Sequence, residues 1–390
     1  MRSPLVTVVT PSFNQGRFIR HTIESVLAQD YPGIEYIIMD AGSTDETASV
    51  VKEYAGRLAW ISEPDRGQSH AINKGFQLAR GELVAWLNSD DVFLPGAVRA
   101  AVEAFERHPG MGAVYGEGYL LDREGAVKCR FPHTRPMNIW RLVHLSDFIL
   151  QQTVFFRKSI FAEIGFLNEA LHYTMDWDIL IRIATRYEVG YIDKDMAALR
   201  EHEAAKSSSG GAQRVREIRD MLRSHTGMRL PPGYIVYGLD TYQDIWCDWV
   251  ERRAPAPLRD RLTRAIRTVC GTWIGRTIVE SQGWYADNWA GPRVRFMLLP
   301  GEGEIRVDGS LPDLDGLLEG QQLEVRCNGR RVARWELPHG PFSLSFPAPH
   351  CDGEALRLEL RASRFVIPET LLGGPDRRRV SYLLDAIRWA

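Results

Sequence analysis

The feature that most limits the fold is an alternation of short apolar strands with amphipathic helices in the first half of the 390-residue chain. Strand-like runs such as "LVTVVTP", "IEYIIMDAG" and "ELVAWL" are separated by segments such as "GRFIRHTIESVLAQD", whose apolar residues recur at helical spacing. Strands that alternate with helices of this length are typical of βαβ units. The pattern therefore predicts an α/β domain with a mostly parallel sheet flanked by helices.

The second half of the chain has a different character. From about residue 210 the sequence is Arg-rich and helical, and from about residue 283 it shows strands of period two with regularly spaced turn signals. The Asn-Gly pair in "CNGRR" is typical of a tight hairpin. We therefore expect three parts: an α/β domain over residues 1–210, a helical connector over 211–282 and an all-β sandwich module over 283–390.

Composition excludes several classes of function. A formal net charge of -2 does not suit nucleic-acid binding, so we expect no nucleic-acid partner. The five cysteines form no close pairs, which favours a reducing compartment over a disulfide framework. No apolar run is long enough to cross a bilayer, and the first residues do not resemble a signal peptide. We expect a cytoplasmic protein, either soluble or peripheral at the inner face of the membrane.

Polar residues follow three of the predicted strands. They are Pro11–Asn14 after the first strand, Asp40–Asp45 after the second and Asn88–Asp91 after the fourth. In open α/β sheets, ligands bind beyond the carboxyl ends of the strands. An acidic edge suits a divalent cation such as Mg²⁺ or Mn²⁺, which commonly joins carboxylates to substrate phosphates. The alternative is that Asp90 and Asp91 only cap a turn before the next helix.

Three longer stretches are "TVVTPSFNQGRFIRHTIESVLAQDYPGIEYIIMDAGSTDET", "EPDRGQSHAINKGFQLARGELVAWLNSDD" and "GFLNEALHYTMDWDILIRIATRY". Together they resemble family 2 glycosyltransferases with the GT-A fold, a Rossmann-like mixed sheet. The resemblance covers residues 4–209. It implies transfer of a sugar from a nucleoside diphosphate sugar to an acceptor hydroxyl, with inversion at the anomeric carbon and a divalent metal.

The resemblance also implies roles for three acids. Asp91 would hold the metal, which stabilises charge on the diphosphate leaving group, and Asp90 would contact the ribose or the sugar of the donor. Asp176 matches the family's general base, and the alternative is an acid favoured by the dipole in a first helical turn. The family usually has Glu before this base, whereas this chain has Met175.

Further positions match the donor site of the family. Pro11 and Phe13 would lie along the nucleobase, although Phe13 also suits a core aromatic at a strand end. Asp40 matches the first of two acids that read the base, and Ala41 replaces the second, so the identity of the donor base stays open.

Three more side chains are assigned to the donor side by the resemblance. Asp65 and Arg66 match a loop that faces the donor, where Arg66 either meets phosphate or forms a surface ion pair. His202 matches a histidine that reaches the metal or the diphosphate, and the alternative is an exposed histidine. Lys206 could contact phosphate, but we expect its side chain to be solvated.

The acceptor side carries weaker assignments. His172 and Trp177 flank the predicted base and would line an acceptor sugar, and Gln151 and Gln152 are candidates for hydrogen bonds to it. All four side chains suit packing as well. The acceptor itself is expected to be a glycan or a lipid-linked sugar.

The connector and the sandwich suggest partners. Apolar residues Leu258, Leu262, Ile266, Val269 and Trp273 share one helix face, which predicts either docking onto the catalytic domain or, with the neighbouring arginines, contact with anionic lipid or with other biosynthetic enzymes. Aromatic residues of the sandwich either bind glycan or fill its core; these are Trp284, Tyr285, Trp289 and Trp335.

These inferences lead to one main hypothesis and two rivals. The main hypothesis is an inverting, metal-dependent glycosyltransferase that acts on a bacterial surface glycan or glycolipid. One rival is a catalytically silent subunit that binds glycan or partners through the sandwich. The other is a nucleotidyltransferase, which the single glycine of "TPSFNQGRF" does not favour, because that class uses a Gly-rich phosphate loop.

Overall fold

The computed structural model describes residues 3–202, 210–285, 288–314, 316–350, 355–368, 370 and 378–390. The chain forms two compact units. Unit 1 comprises residues 1–138 and 147–221, and unit 2 comprises residues 139–146 and 222–390. The predicted boundaries at 210/211 and 282/283 remain predictions.

Unit 1 is built on one mixed sheet, to which the described residues contribute nine strands. In chain order the strands are β1 (Val6–Ser12), β2 (Ile34–Asp40), β3 (Ala59–Ser62), β4 (Leu83–Trp86), β5 (Val92–Phe93), β6 (Met111–Leu121), β7 (Val127–Arg130), β8 (Phe155–Arg157) and β9 (Glu188–Arg200). Their spatial order is β3-β2-β1-β4-β8-β6-β9-β5, with β7 paired to β6. Strands β3, β2, β1 and β4 run parallel, as the alternating pattern predicts.

The sequences of the central strands explain their position. All seven residues of β1 are buried, and a near-continuous apolar run is what a parallel strand covered on both faces requires. Gly75 lets a helix approach this strand closely, because a Cβ atom there would lie 2.4 Å from a methyl carbon of Val9. The centre of unit 1 is therefore fixed by packing against β1.

Helices connect these strands. They are α1 (Ile19–Leu27), α2 (Thr47–Lys52), α3 (Gln68–Leu78), α4 (Ala97–Arg107), α5 (Ile139–His144), α6 (Phe161–Ile164), α7 (Met175–Ala184), α8 (Gly211–Thr226), α9 (Pro232–Arg253) and α10 (Ala256–Gln282), with short 3₁₀ turns at Gln151–Thr153 and Lys158–Ile160. Helix α5 lies in unit 2, and α8 spans the division between the units at 221/222. Among the described residues, no helix is long and apolar enough to cross a membrane.

Unit 2 contains two antiparallel sheets and the last helices. One sheet has the order β10-β17-β12-β15 and the other has the order β11-β16-β13-β14. The strands are β10 (Trp289–Ala290), β11 (Arg293–Leu298), β12 (Glu304–Leu311), β13 (Gln322–Cys327), β14 (Arg330–Glu336), β15 (Gly340–Pro347), β16 (Leu356–Ala362) and β17 (Tyr382–Trp389). One apolar cluster joins residues from both sheets, so the β-sandwich prediction is confirmed.

Three local predictions for unit 2 can be compared with the structure. Asn328 and Gly329 join β13 to β14 with φ of 48° and 81°, the left-handed pair that an Asn-Gly hairpin turn needs. The predicted apolar stripe of α10 is not buried, since Leu258, Leu262 and Trp273 are 42–56% exposed. The aromatics expected to bind glycan or to fill the core are partly buried and pack against the sandwich core; these are Trp284, Tyr285, Trp289 and Trp335.

Candidate active site

The topology of unit 1 brings the carboxyl ends of its parallel strands to one edge of the sheet. Strand β1 lies between β2 and β4, so the order of connection reverses there. A reversal of this kind is where α/β sheets bind ligands. The polar residues after β1, β2 and β4 therefore meet at one edge, as the sequence predicts.

Asp91 lies completely inside the protein at this edge. Its Oδ1 accepts a hydrogen bond of 2.9 Å from the backbone N–H of Arg200. Its Oδ2 accepts hydrogen bonds from Asn88 Nδ2 at 3.0 Å and from Gln152 Nε2 at 2.7 Å. Burial, together with the nearby charge of Asp90, raises the pKa of Asp91 to about 8, against the effect of these donors.

This environment differs from the predicted role of Asp91 as the metal ligand. The carboxylate is 0% exposed, and both of its oxygens already accept hydrogen bonds from the protein. A hard cation needs carboxylate oxygens that face the crevice, where phosphate and water complete its coordination. In this arrangement Asp91 joins β4 to the end of β9, and the neighbouring acid faces the crevice.

Asp90 is the acid that remains accessible. Its Oδ2 lies 3.0 Å from Nε2 of His202, and its side chain is 19% exposed. The imidazole of His202 lies against Phe18, with ring centroids 4.8 Å apart. The side chain of His202 is only 6% exposed beside the acidic motif, so the alternative of an exposed histidine does not apply. Lys206 lies outside the described residues.

A carboxylate and an imidazole in contact suit a small divalent cation. Among the residues that the structure describes, no three His, Cys, Asp or Glu side chains converge into a closed metal site. Two protein ligands are nevertheless enough for Mg²⁺ or Mn²⁺ in sites where substrate phosphates and water supply the rest. The donor set of Asp90 and His202 therefore fits the predicted metal.

Arg200 is a site residue that the sequence reasoning missed. The residue is only 3% exposed; its Nε donates to the carbonyl of Asp90 at 3.0 Å, and its guanidinium lies 5.4 Å from the ring of Phe18. A buried arginine beside two acids holds the backbone of the motif in place. Because Arg200 lies 109 residues from Asp91 along the chain, no local sequence pattern indicates that the two residues meet.

The predicted nucleobase side has one exposed aromatic. Phe13 is 58% exposed at the end of β1, so it is not a core residue, whereas Pro11 is buried within the strand. Asp40 is 2% exposed and accepts hydrogen bonds from the hydroxyls of Ser43 at 2.5 Å and Ser62 at 2.6 Å. The asparagine that follows Phe13 has φ of 53°, so the chain turns sharply there.

The loop predicted to face the donor is tied to unit 1 by side-chain contacts. Oδ1 of Asp65 accepts the backbone N–H of Gly67 at 2.7 Å. Arg66 is 70% exposed at its side chain and forms an ion pair of 2.7 Å with Glu169. The structure thus shows the surface ion pair that the sequence left as the alternative for Arg66.

Gln151 and Gln152 lie behind the acidic motif. They are 7% and 5% exposed, and Gln151 donates to the carbonyl of Trp86 at 3.1 Å while Gln152 donates to Asp91. Contact with an acceptor sugar requires an accessible amide. Their observed partners therefore indicate that both amides position the end of β4, which differs from the predicted acceptor role.

Asp176 lies in the first turn of α7. Its Oδ1 accepts the backbone N–H of Trp177 at 2.8 Å, and the residue is partly exposed. Of the two predicted acceptor contacts, His172 is exposed before the helix, but Trp177 is 3% exposed and belongs to the interior. Asp178 forms an ion pair of 2.9 Å with Arg182, one turn along the same helix face.

A second carboxylate interacts with Asp176. Burial, followed by the charge of Asp176, raises the pKa of Asp147 well above its usual range, and Arg214 acts in the opposite direction. The family's usual acid before the base is Met175 here, and its Sδ accepts a hydrogen bond of 2.7 Å from Ser69. Asp147 thus brings another acid to the electrostatic environment of Asp176 from a distant part of the chain.

The start of α3 connects the two halves of the site. Gln68 donates to Asn88 of the acidic motif at 2.8 Å, and the adjacent Ser69 contacts Met175, which precedes Asp176. Neighbouring residues of one helix turn thus touch both the motif after β4 and the first residue of α7. This places the acidic motif and Asp176 on the same side of unit 1.

Comparison with known proteins assigns this unit to a family. The family described as "Glycosyl transferase family 2" matches residues 7–165. An uncharacterized glycosyltransferase of Mycobacterium tuberculosis is 33% identical over 186 residues, which cover 47% of this chain and 70% of that protein. An uncharacterized glycosyltransferase of Rickettsia prowazekii is 26% identical over 227 residues, covering 56% of this chain and 70% of the relative.

Solved structures show a weaker likeness. The mannosyltransferase PcManGT of Pyrobaculum calidifontis, solved with GDP-Man and Mn²⁺, superposes with a TM-score of 0.48 and 17% identity, covering 71% of this chain and 85% of that one. A score of this size carries no argument about activity. The family match and the sequence relatives show that the chain belongs to glycosyltransferase family 2.

Proposed function

We propose that the protein is an inverting, metal-dependent glycosyltransferase that moves a sugar from a nucleoside diphosphate sugar to an acceptor hydroxyl of a bacterial surface glycan or glycolipid. The observation that carries this proposal is the link through Gln68 and Ser69, which holds the acidic motif and the start of α7 against one helix turn. Inverting transfer needs a leaving-group site and a base that act on the same anomeric carbon from opposite sides. The acidic motif would provide the first and Asp176 the second.

Asp90 and His202 would hold the divalent metal in this proposal, in place of the predicted Asp91. When bound, the metal stabilises negative charge on the diphosphate as it leaves. Asp91 instead fixes the loop, since its three donors come from Asn88, Gln152 and Arg200. A buried group with satisfied hydrogen bonds is suited to positioning its neighbour in sequence.

Asp176 would take the proton of the acceptor hydroxyl. The acceptor oxygen then forms a bond to the anomeric carbon while the bond from that carbon to the diphosphate oxygen breaks, and the nucleoside diphosphate departs. Oδ1 of Asp176 accepts the N–H of Trp177, which fixes the orientation of the carboxylate on α7. Burial and the charge of Asp176 raise the pKa of Asp147, which favours the neutral form of Asp147 beside the proposed base.

On the donor side, the exposed face of Phe13 would pack on the nucleobase. Asp40 would accept a hydrogen bond from the edge of the base after its hydrogen bonds from Ser43 and Ser62 rearrange. Pro11 is buried in β1, two residues before Phe13. Asp65 and Arg66 would border the diphosphate, with Arg66 exchanging Glu169 for phosphate. His172 would border the acceptor.

The test is a screen of nucleoside diphosphate sugars with Mn²⁺ or Mg²⁺, read as metal-dependent release of nucleoside diphosphate, with the anomeric configuration of the product determined by NMR. Asp176→Asn should lower turnover by about 10²–10⁴-fold, because the base is lost, while the thermal shift induced by the donor persists. The matched control is Asp178→Asn on the same helix, which loses the Arg182 ion pair and should lower stability more than turnover.

Two outcomes would contradict the proposal. Near-normal turnover in Asp176→Asn would remove the base assignment. Binding of glycan without nucleotide release from any donor would favour the silent-subunit hypothesis. The sandwich offers that rival little support, because Trp284 and Trp335 pack on Phe296 and Phe346 at 5.7 Å and 6.0 Å between ring centroids.

A further inference from the structure

The helix that carries Asp176 is capped from outside itself. Thr174 precedes α7 with φ of -124° and ψ of 19°, and its side chain makes no capping hydrogen bond to the helix. The first backbone N–H groups of a helix lack partners within it and need acceptors from elsewhere. For the residues that lead into α7, the acceptor is Glu217, a residue of α8.

The carboxylate of Glu217 accepts hydrogen bonds from all three backbone N–H groups of residues 172–174. Oε2 of Glu217 accepts the backbone N–H of His172 at 3.0 Å. Oε1 accepts the backbone N–H of Tyr173 at 2.7 Å, the N–H of Thr174 at 2.9 Å and the hydroxyl of Thr174 at 2.9 Å. A carboxylate at a helix N-terminus is also favoured by the helix dipole, so charge and hydrogen bonding act together.

Helix α8 is a firm support for this carboxylate. Its residues Val215, Ile218 and Met221 are each at most 3% exposed, and their spacing places them on one buried face. Glu217 precedes one of these anchored residues directly. The position of the carboxylate is thus set by packing of α8 in unit 1, and the backbone from His172 to Thr174 follows it.

The geometry points to Glu217 as a positioning residue for the base. We infer that its carboxylate, by holding the three residues before α7, sets the place of Asp176 two residues beyond Thr174; this inference rests on the proposed role of Asp176. Displacement of a catalytic group by about 1 Å can cost on the order of 10²-fold in rate. Glu217 touches no substrate in this account and acts only through α7.

The experiment compares Glu217→Ala, Glu217→Gln and the wild-type protein in turnover of the donor found by the screen. Glu217→Ala should lower kcat by about 10–100-fold and leave KM for the donor within about twofold, because the donor contacts lie elsewhere. Glu217→Gln should recover much of kcat, since its amide oxygen still accepts the donors that meet Oε1. The control is Asp220→Ala on the same helix, whose carboxylate pairs with the adjacent Arg219 at the surface.

Hydrogen exchange gives a second readout that needs no activity. Amides in a peptide that spans residues 172–177 should exchange faster in Glu217→Ala than in the wild type, and Asp220→Ala should leave them unchanged. Unchanged exchange in Glu217→Ala would overturn the cap. Unchanged kcat, or equal losses in Glu217→Gln and Glu217→Ala together with a raised KM, would overturn the positioning role.

These outcomes separate this inference from the proposed function. A wild-type protein that turns over no donor overturns the base assignment and the positioning role with it, whatever the exchange data show. An active wild type whose Asp176→Asn variant is inactive and whose Glu217→Ala variant is fully active retains the function and removes only the role of Glu217.

Discussion

The two units of the molecule bury polar groups in different ways. Unit 1 buries several ionisable side chains; they include Asp40, Asp91, Asp178 and Arg200. The described part of unit 2 buries no Asp, Glu, Lys or Arg. Its buried polar residues are His144, Thr226, Gln321 and Ser381.

The difference shows what each unit is built to do. Burial of a charge costs free energy unless hydrogen bonds and opposite charges offset it, so a unit under selection for stability alone favours an apolar interior. The sandwich follows that rule with inward apolar residues at every second position of β13 and β16. In unit 1, Asp40, Asp91 and Arg200 lie at the sheet edge that forms the candidate site, whereas Asp178 is buried in α7.

The largest expected effect concerns the buried acid of that edge. Asp91→Ala should lower the free energy of unfolding of unit 1 by about 3–5 kcal/mol, because three buried donors lose their acceptor and each costs roughly 1–3 kcal/mol. Denaturant unfolding, with hydrogen exchange followed separately in peptides of each unit, measures the loss. Peptides of unit 2 should be unaffected.

Asp90→Ala is the control for this prediction. Asp90 differs from its neighbour only in exposure and partners, and its contact with His202 is partly open to solvent. In metal-free protein this variant should lose less than about 1 kcal/mol. If Asp90→Ala and Asp91→Ala lost equal amounts of unfolding free energy, the distinction between a buried acid and an accessible acid would be wrong.

Sequence patterns predicted the fold because the features that decide it are local. The period of apolar residues identified the strands of unit 1 and of the sandwich, and Asn328-Gly329 marked a hairpin turn that the structure contains. Helix α9 lies inside the predicted helical connector, but its bounds were not predicted, since Trp246 and Trp249 are 47% and 56% exposed and blur its amphipathic pattern.

The site was predictable by residue type but not by orientation. Asp90 and Asp91 are identical in chemistry and adjacent in sequence, and the acid that turns inward is selected by donors 61 and 109 residues away. Glu217 caps α7 from 43–45 residues further along the chain, beyond the reach of any capping pattern. Such choices arise from tertiary packing, which a single sequence does not display.

A smaller effect is expected for the histidine of the crevice. His202→Ala should raise the Mn²⁺ concentration that gives half-maximal donor turnover by about 10-fold or more, equivalent to about 1.4 kcal/mol, because Asp90 loses its partner ligand. Titration of Mn²⁺ at saturating donor measures the change. The control is His21→Ala in α1, an exposed histidine of the same unit. An unchanged Mn²⁺ requirement in His202→Ala would leave Asp90 without an imidazole partner at the metal.

The smallest effect is expected for the buried histidine of unit 2, which tests whether that unit tolerates charge. His144 stacks on Trp140 with ring centroids 3.6 Å apart. Burial, followed by the charges of Arg357 and Arg295, lowers the pKa of His144 to about 3. In the folded unit the imidazole of His144 therefore stays neutral, whereas in the unfolded chain it takes up a proton near pH 6.5.

The sign of the pH dependence follows from this lowered pKa. The stabilisation is complete above about pH 6.5 and is lost as the pH falls from there towards 3, at up to about 1.4 kcal/mol per pH unit. His144→Phe keeps an aromatic ring against Trp140 and removes the titration. The difference in unfolding free energy between wild type and variant, followed in peptides of unit 2 from pH 7 to pH 6, should therefore shift in favour of the variant by less than about 1 kcal/mol. A difference that stays constant with pH would mean that the sandwich unit accommodates a buried positive charge as readily as unit 1 does, and the contrast between the two interiors would disappear.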